Sequence, residues 1–439
     1  MPLTSLRLRN FKSFADTSEV AFAPLSLIFG RNNTGKSSLL QSLFLLRQTL
    51  DAPEYGARLN LRGPLYDAGS YADLVHQHRS KERIVMQFGL ELPRTDRRTA
   101  LVEFEFGPDE PQPPRLVRLS IEGPDGETIV IRRGRGAGGP YELSIGDEHL
   151  GGERKAEFRF PLNRFLPLIG PEPNADAHKS REKARAVART TLVEFTQMLQ
   201  GLRAVGAFRR QPERRYEFIG RAPDRIDAAG NYVVNALIED ATRKRRRGEL
   251  TASVNRWLRQ VGKVRLLPLR RISRAARLFE VRLRDTDSGR WANFADVGFG
   301  IGQAFPVIVE GLRTPPGGLF IVQEPEIHLH PDSQLAMADF LVDLVREGRR
   351  VVVETHSEHL LLRVRHQLLR DKLAPSDLSV IFVEKTMSGA SHTRRVTVDE
   401  LGQVRDWPGG FMEEATKERI SLMADMAKRV ESGAAPDGE

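Results

Sequence analysis

Gly30-Arg31-Asn32-Asn33-Thr34-Gly35-Lys36-Ser37 is the stretch that decides the fold class. It fills every fixed position of the pattern G-x-x-x-x-G-K-[S/T], and it stands in the context that such a loop requires. Before it lies Leu25-Ser26-Leu27-Ile28-Phe29, an apolar run suited to a buried strand. After it, apolar residues predict a helix from Ser38 to about Thr49. The glycines let backbone amides wrap phosphates, and the N terminus of the helix adds positive potential. Lys36 is then placed to reach the terminal phosphates of a nucleoside triphosphate, and Ser37 to ligate Mg2+.

A second group of motifs lies far along the chain. The strand Leu319-Phe320-Ile321-Val322 runs into Gln323-Glu324-Pro325-Glu326, a carboxylate-bearing strand end where a water and a metal could meet the outermost phosphate. A later strand ends in Glu354-Thr355-His356-Ser357, and His356 there can hydrogen-bond the same phosphate. Apolar strands alternate with helices through this region, with a helix expected from about Ser333 to Arg346, and this is a parallel α/β pattern.

Between the two groups the periodicity changes twice. Residues 83–145 alternate apolar and polar positions between Pro/Gly-rich turns, an antiparallel meander. Helical periods follow over about 176–205 and about 232–261, the second including Arg243-Lys244-Arg245-Arg246-Arg247. The expected organisation is an N-terminal ATPase lobe (1–150), a mainly helical basic insertion (151–290), a C-terminal ATPase lobe (291–431) and a flexible tail (432–439).

Composition narrows the class. With 439 residues there is material for two to three average domains, and no apolar run reaches the roughly 18 residues that span a bilayer. No membrane association is expected. Cysteine is absent, which excludes disulfides, thiolate metal sites and catalytic thiols and points to the cytoplasm. The net charge of +9 is unevenly placed: residues 201–290 hold 23 Lys and Arg against 10 Asp and Glu. A local excess of this kind suits an anionic partner, nucleic acid above all, and Arg243 to Arg247 are the candidate contacts. The His328-Leu329-His330 pair is read as part of a loop rather than as a transition-metal site.

Taken together, LRLRNFKSF, GRNNTGKSSLLQSL, DVGFGIGQAFPVIV, EPEIHLHP, ETHSEHLLLR and the late DWPGGF resemble a family of bacterial ABC-type AAA-family ATPases. These are relatives of the RecF, SMC and overcoming-lysogenization-defect ATPases, several of which serve DNA repair or anti-phage defence. The resemblance implies an α/β fold, a P-loop ABC-type ATPase head with a mixed sheet flanked by helices, carrying the antiparallel β meander and the helical basic insertion. It implies ATP and Mg2+ as cofactors, with Gly30, Asn33, Thr34, Gly35, Lys36, Ser37 and Ser38 as the nucleotide-binding loop. Glu324 matches the catalytic glutamate and His356 the switch histidine, with Lys36 the third catalytic residue. Gly298, Gly300, Gly302 and Gln303 fall at the signature segment, which in such dimers reaches the phosphate held by the partner subunit. A homodimer or higher oligomer that closes around ATP is therefore implied.

Two positions depart from that pattern. Gln323 stands where an acid normally precedes the catalytic glutamate, so Mg2+ would be met there only through water, and slow turnover is expected. Gly302 stands where the signature normally has serine. Nuclease relatives append an acidic Toprim domain; Glu384 could pass for its first acid, but no Asp-x-Asp follows. The reading is an ATPase that couples nucleotide state to nucleic-acid engagement, with an ATP-gated scaffold that holds and releases an effector protein as the alternative.

Overall fold

Runs of consecutive apolar residues need cover on both faces, and here they make the central sheet of a computed structural model. The structure describes residues 3–52, 57–92, 98–134, 141–146, 148–149, 162–163, 166–167, 179–242, 248–273, 275, 277–387, 389–406 and 414–431. The basic run 243–247, the 407–411 motif and the tail 432–439 lie outside the described residues.

The chain begins with β1 (Leu3–Phe11) and β2 (Leu25–Gly30), the latter buried at every position, and continues into α1 (Lys36–Asp51). The meander follows as β3 (Ile84–Glu91), β4 (Thr99–Asp109), β5 (Gln112–Glu122), β6 (Thr128–Arg133) and β7 (Tyr141–Ile145), each antiparallel to the next, with β3 also pairing β1. Next come α2 (Lys179–Gly201), β8 (Arg203–Val205), α3 (Val233–Thr242) and α4 (Glu249–Gly262). The rest of the parallel sheet is built from α5 (Phe299–Arg313), β9 (Leu319–Gln323), α6 (Pro331–Arg346), β10 (Arg350–Glu354), α7 (Glu358–Leu369), β11 (Leu378–Lys385) and β12 (Ser391–Val398), and α8 (Glu414–Glu431) ends it.

In space the sheet runs β8-β9-β10-β2-β11-β12. The first five strands are parallel, and β12 is antiparallel to β11. Successive side chains leave opposite faces of a strand, so one sheet divides two cores. Ile28, Ile321, Val352 and Ile381 join α1, α2 and the meander aromatics Phe88 and Phe104 on one face. Leu27, Phe29, Phe320, Val322, Val351 and Val353 face the other core, with residues of α3 to α7. Among the described residues, no helix is long and apolar enough to cross a membrane.

Two expectations change. The helix foreseen through Val205 ends at Gly201, because Arg203–Val205 pairs in parallel with Phe320, Ile321 and Val322. The stretch foreseen as helical over 232–261 is two helices, α3 and α4, on either side of the undescribed basic run. The middle of the chain is thus tied to the parallel sheet, and it also supplies short strands at Val264–Leu266, Arg270–Ser273, Leu278–Glu280 and Arg282–Asp285.

A fully buried acid fastens this edge strand. Glu310 on α5 meets Arg203 of β8 and Arg313, each at 2.8 Å, and both guanidinium groups are themselves largely covered. Removing one partner of such a cluster strands buried charge, which costs roughly 3–5 kcal/mol. Glu310→Ala is therefore expected to lower stability by about that amount in chemical denaturation. A loss below about 1 kcal/mol, the range of exposed pairs, would show that the cluster does not hold β8.

Candidate active site at the strand ends

Parallel pairing sets three strand ends side by side. Gln323 is in register with Glu354, and Glu354 with Ile28, so the segments after β9, β10 and β2 emerge at one edge. That edge opens on a cleft of about 800 Å³ whose lining includes Ser37, Gln41, Gln303, Gln323, Glu324 and Glu354.

The loop after β2 has the predicted shape. Gly30 closes the strand, and Gly35 takes φ 100° where an added Cβ would come 2.2 Å from Ser13 Oγ, so only glycine turns the chain into α1. Asn33 adopts the left-handed region at φ 62°. Thr34 Oγ1 donates to the Arg31 carbonyl at 2.9 Å. Lys36 and Ser38 are buried at the start of α1. Lys36 Nζ donates to the carbonyls of Gly30 at 2.9 Å and Arg31 at 3.0 Å. Burial holds the Lys36 ammonium below the usual lysine pKa, while the nearby carboxylates of Glu354, Glu324 and Glu326 act in the opposite sense.

The strand ends bring the acids to this loop. Ser37 Oγ donates to Glu354 Oε1 at 2.6 Å, and Gln323 Nε2 donates to Glu354 Oε2 at 2.6 Å. Glu324 follows with φ 46°, a conformation that side chains other than glycine seldom adopt. Three bonds hold it: its amide donates to the Glu354 carbonyl at 2.6 Å, and its own carbonyl accepts from Arg209 Nη2 at 3.0 Å and from the Ile327 amide at 3.3 Å. Arg209 is buried and also donates to the carbonyls of Gly206, Gln303 and Gln323. Burial lowers its pKa to about 10, against the attraction of Glu326 and Glu324.

His356 lies just beyond β10, its Nε2 3.9 Å from Glu324 Oε1. Its amide donates to Glu326 Oε1 at 2.7 Å, an oxygen that also accepts from Thr355 Oγ1 at 2.7 Å. Burial raises the pKa of Glu326 despite those bonds. The His356 imidazole is held below the usual histidine pKa, first by burial and then by Lys36, with Glu354 opposing.

The signature glycines meet protein as well as open space. Gly298 caps the N terminus of α5 and has nothing within 4 Å of where a Cβ would stand. A Cβ on Gly300 would come 2.4 Å from the His328 carbonyl, and one on Gly302 2.8 Å from Pro212 Cγ. Gln303 is buried and its Nε2 donates to the Arg209 carbonyl at 3.3 Å, so α5 and the β9 end share Arg209 as an anchor. His328 meets Phe299 edge-on with centroids 4.6 Å apart, and His330 Nδ1 accepts from the Asp332 amide at the start of α6. Among the described residues, no cluster of three His, Asp or Glu is arranged to hold a metal by protein ligands alone.

Sequence reasoning passed over three residues here. Glu354 stands inside a quoted motif in which only His356 is given a role. Arg209 is one arginine among many in the basic stretch 201–290, where nothing in the sequence signals burial. Gln41 of α1 also lines the cleft. Gln41 Oε1 and His356 Nε2 are buried without a hydrogen-bond partner among the described residues. Beside the cleft, such atoms are open to a hydrogen bond from a polar ligand or a water. A lysine and a glycine loop suit phosphates, and the hydroxyl and carboxylate oxygens suit Mg2+, so the residues fit ATP with magnesium.

Comparison with known proteins gives the following. Residues 25–363 match the model of a family described as "AAA domain, putative AbiEii toxin, Type IV TA system". Residues 373–422 match a second, described as "Protein of unknown function (DUF3696)". An ATP/GTP phosphatase of Helicobacter pylori (strain ATCC 700392 / 26695) is 46% identical over 44 residues, a stretch that spans 10% of this chain and 12% of that protein. Among solved structures, an SmcHead bound to the C-winged helix domain of ScpA is similar at 12% identity, over 91% of this chain and 99% of that one, with a TM-score of 0.46. The SMC head domain from Thermotoga maritima is similar at 12% identity, over 91% of this chain and 100% of that one, with a TM-score of 0.39.

A lowered pKa means that folding favours neutral His356. Its contribution to stability is present above the ordinary histidine range and is lost as the pH falls through the lowered value. In the nucleotide-free protein, NMR titration of the His356 ring is expected to give a midpoint below 6.5. A midpoint above 6.5 would mean that the carboxylates of Glu324 and Glu354 outweigh burial and Lys36.

Proposed function

Since the chain belongs to this AAA-domain family, we propose that it is a Mg2+-dependent ATPase whose reaction takes place in the cleft where β2, β9 and β10 end. One observation carries the reading: Lys36, Ser37, Glu324 and His356, distant in sequence, meet at one edge of one sheet. Lys36 leaves the carbonyls of its own loop to meet the phosphates, and the loop from Gly30 to Ser38 enfolds them. Glu324 orients and deprotonates the attacking water, a role that requires reach through one water at most. His356, neutral and with its Nε2 uncommitted, donates to or accepts from the outermost phosphate oxygens. Magnesium supplies charge neutralisation between the phosphates.

The exposed N terminus of α5 supports a composite site. Gly298 offers an unobstructed backbone at a helix start, the arrangement that receives anions. On this reading Gly298 and the turn through Gly300, Gly302 and Gln303 face the phosphate held by a second copy, and ATP draws two chains into a homodimer in the cytoplasm. A single chain then turns over slowly, because its cleft lacks the facing helix. The charge excess of residues 201–290 supports coupling of that closure to nucleic acid, in repair or anti-phage defence.

Steady-state hydrolysis tests the chemistry. Glu324→Gln is expected to lower kcat by roughly 10²–10⁴ while keeping ATP binding, and Lys36→Ala to lose both binding and turnover. Hydrolysis by Glu324→Gln at the parent rate would remove Glu324 from the mechanism. Light scattering should show mass doubling with ATP in Glu324→Gln; equal assembly without nucleotide would remove the composite site.

The nucleic-acid step has its own test. Replacing Arg243, Lys244, Arg245, Arg246 and Arg247 by Ala should weaken DNA binding about equally across sequences and flatten its salt dependence, with ATP binding unchanged. Parent-like DNA binding by that variant would leave the scaffold reading, in which an effector protein is held and released, as the better one.

A further inference from the structure

The site contains a carboxylate that no motif assigned. Glu354 is the last residue of β10, 4% exposed, and both of its oxygens are engaged: Oε1 by the Ser37 hydroxyl and Oε2 by the Gln323 amide, each at 2.6 Å. Both donors are neutral, and among the described residues no Lys, Arg or His side chain pairs with Glu354 within 4 Å. A buried carboxylate held by two neutral donors, with the Lys36 ammonium nearby but beyond ion-pair distance, is placed to receive further positive charge. It is also one strand over from the expected place. The register puts Gln323 directly beside Glu354, so the negative charge missing from the β9 end is present at the adjacent β10 end, at the same depth in the sheet.

We propose that Glu354 is the carboxylate of the magnesium site and that Gln323 is no ligand, but the amide that aims Glu354 at the metal. The proposal rests on the ATPase reading above and names the metal ligand within it. Serine hydroxyl and carboxylate oxygens are hard donors of the kind Mg2+ takes, alongside waters and phosphate oxygens. The Ser37 bond fits the same picture: a hydroxyl whose proton points to Glu354 Oε1 turns its lone pairs outward, toward a metal. Gln323 serves Glu354 as outer-shell partners serve metal ligands elsewhere, by fixing the orientation of a group that could otherwise rotate away.

Magnesium linkage, read without turnover, tests this. The probe is adenylyl imidodiphosphate, titrated by calorimetry into parent, Glu354→Gln and the exchanged pair Gln323→Glu/Glu354→Gln, each with Mg2+ and with EDTA. The parent should bind more tightly with Mg2+. In Glu354→Gln that gain should shrink roughly 10- to 100-fold, while affinity in EDTA holds or rises because one negative charge beside the phosphates has gone. A purely structural role would weaken both conditions alike. Electron paramagnetic resonance of Mn2+ with the same analogue should show a matching loss of bound metal. The exchanged pair, which keeps one acid and one amide across the same register, should recover most of the gain, and it decides the matter if Glu354→Gln fails to fold. An unchanged magnesium gain in Glu354→Gln, or no gain in a folded exchanged pair, overturns the assignment. Failure of the parent to bind the analogue in either condition would instead overturn the ATPase reading, and this inference with it.

Discussion

Everything at the active edge depends on the register of three parallel strands. Side chains alternate between sheet faces, so slipping β10 by one residue would carry Glu354 to the opposite face and bring Val353 into its place. Ser37 and Gln323 would then lose their shared acceptor, and the Glu324 amide would lose the Glu354 carbonyl. The register is fixed by burial on both sides. Val351 and Val353 pack in one core and Val352 in the other, so a slip would misplace apolar groups on two faces at once. The chemistry at the strand ends is therefore specified by packing well inside the sheet.

Much of this was legible because P-loop chemistry demands residues that are close in sequence. The strand before Gly30, the positions of Gly35, Lys36 and Ser37, and the ends of β9 and β10 follow from local pattern, and the structure places them as read. What was not legible has a common physical cause. Arg203–Val205 is a three-residue strand that follows a long helix almost directly, so its period is swamped and only its pairing with β9 reveals it. Glu354 and Arg209 act across gaps of more than a hundred residues, through bonds to Ser37 and to the carbonyls of Gln323 and Glu324. A motif fixes a neighbour along the chain; it does not announce a neighbour across a sheet.

The basic middle segment shows the same limit from the side of charge. Counted along the chain it is a single excess, but in space it divides. Arg203 and Arg209 are consumed inside the protein, one by Glu310 and one by backbone carbonyls. Arg214 pairs with Asp296, and Arg256 with Asp343 and Glu347. Lys263, exposed beside α4, lies 3.9 Å from Asp287, and Arg259 is exposed on α4. Arginine is suited to both uses, because its planar fork can satisfy several carbonyls at once and its charge persists when covered.

The positive φ of Glu324 has a consequence for how this position can change over generations. A left-handed backbone penalises most side chains by roughly 1–2 kcal/mol, and β-branched ones most of all. The loop is clamped into that shape by Arg209 and by the Glu354 carbonyl whether or not residue 324 is acidic. Drift at this site is thus channelled by the backbone as well as by chemistry. A lineage released from the need to hydrolyse would move toward Asn, Asp or Gly, which accept this conformation, rather than toward Val or Ile. On the role proposed for Glu324, such descendants would keep the fold and the nucleotide loop intact while silencing turnover, so the geometry that holds this glutamate would also make the step from enzyme to nucleotide-gated binder a short one.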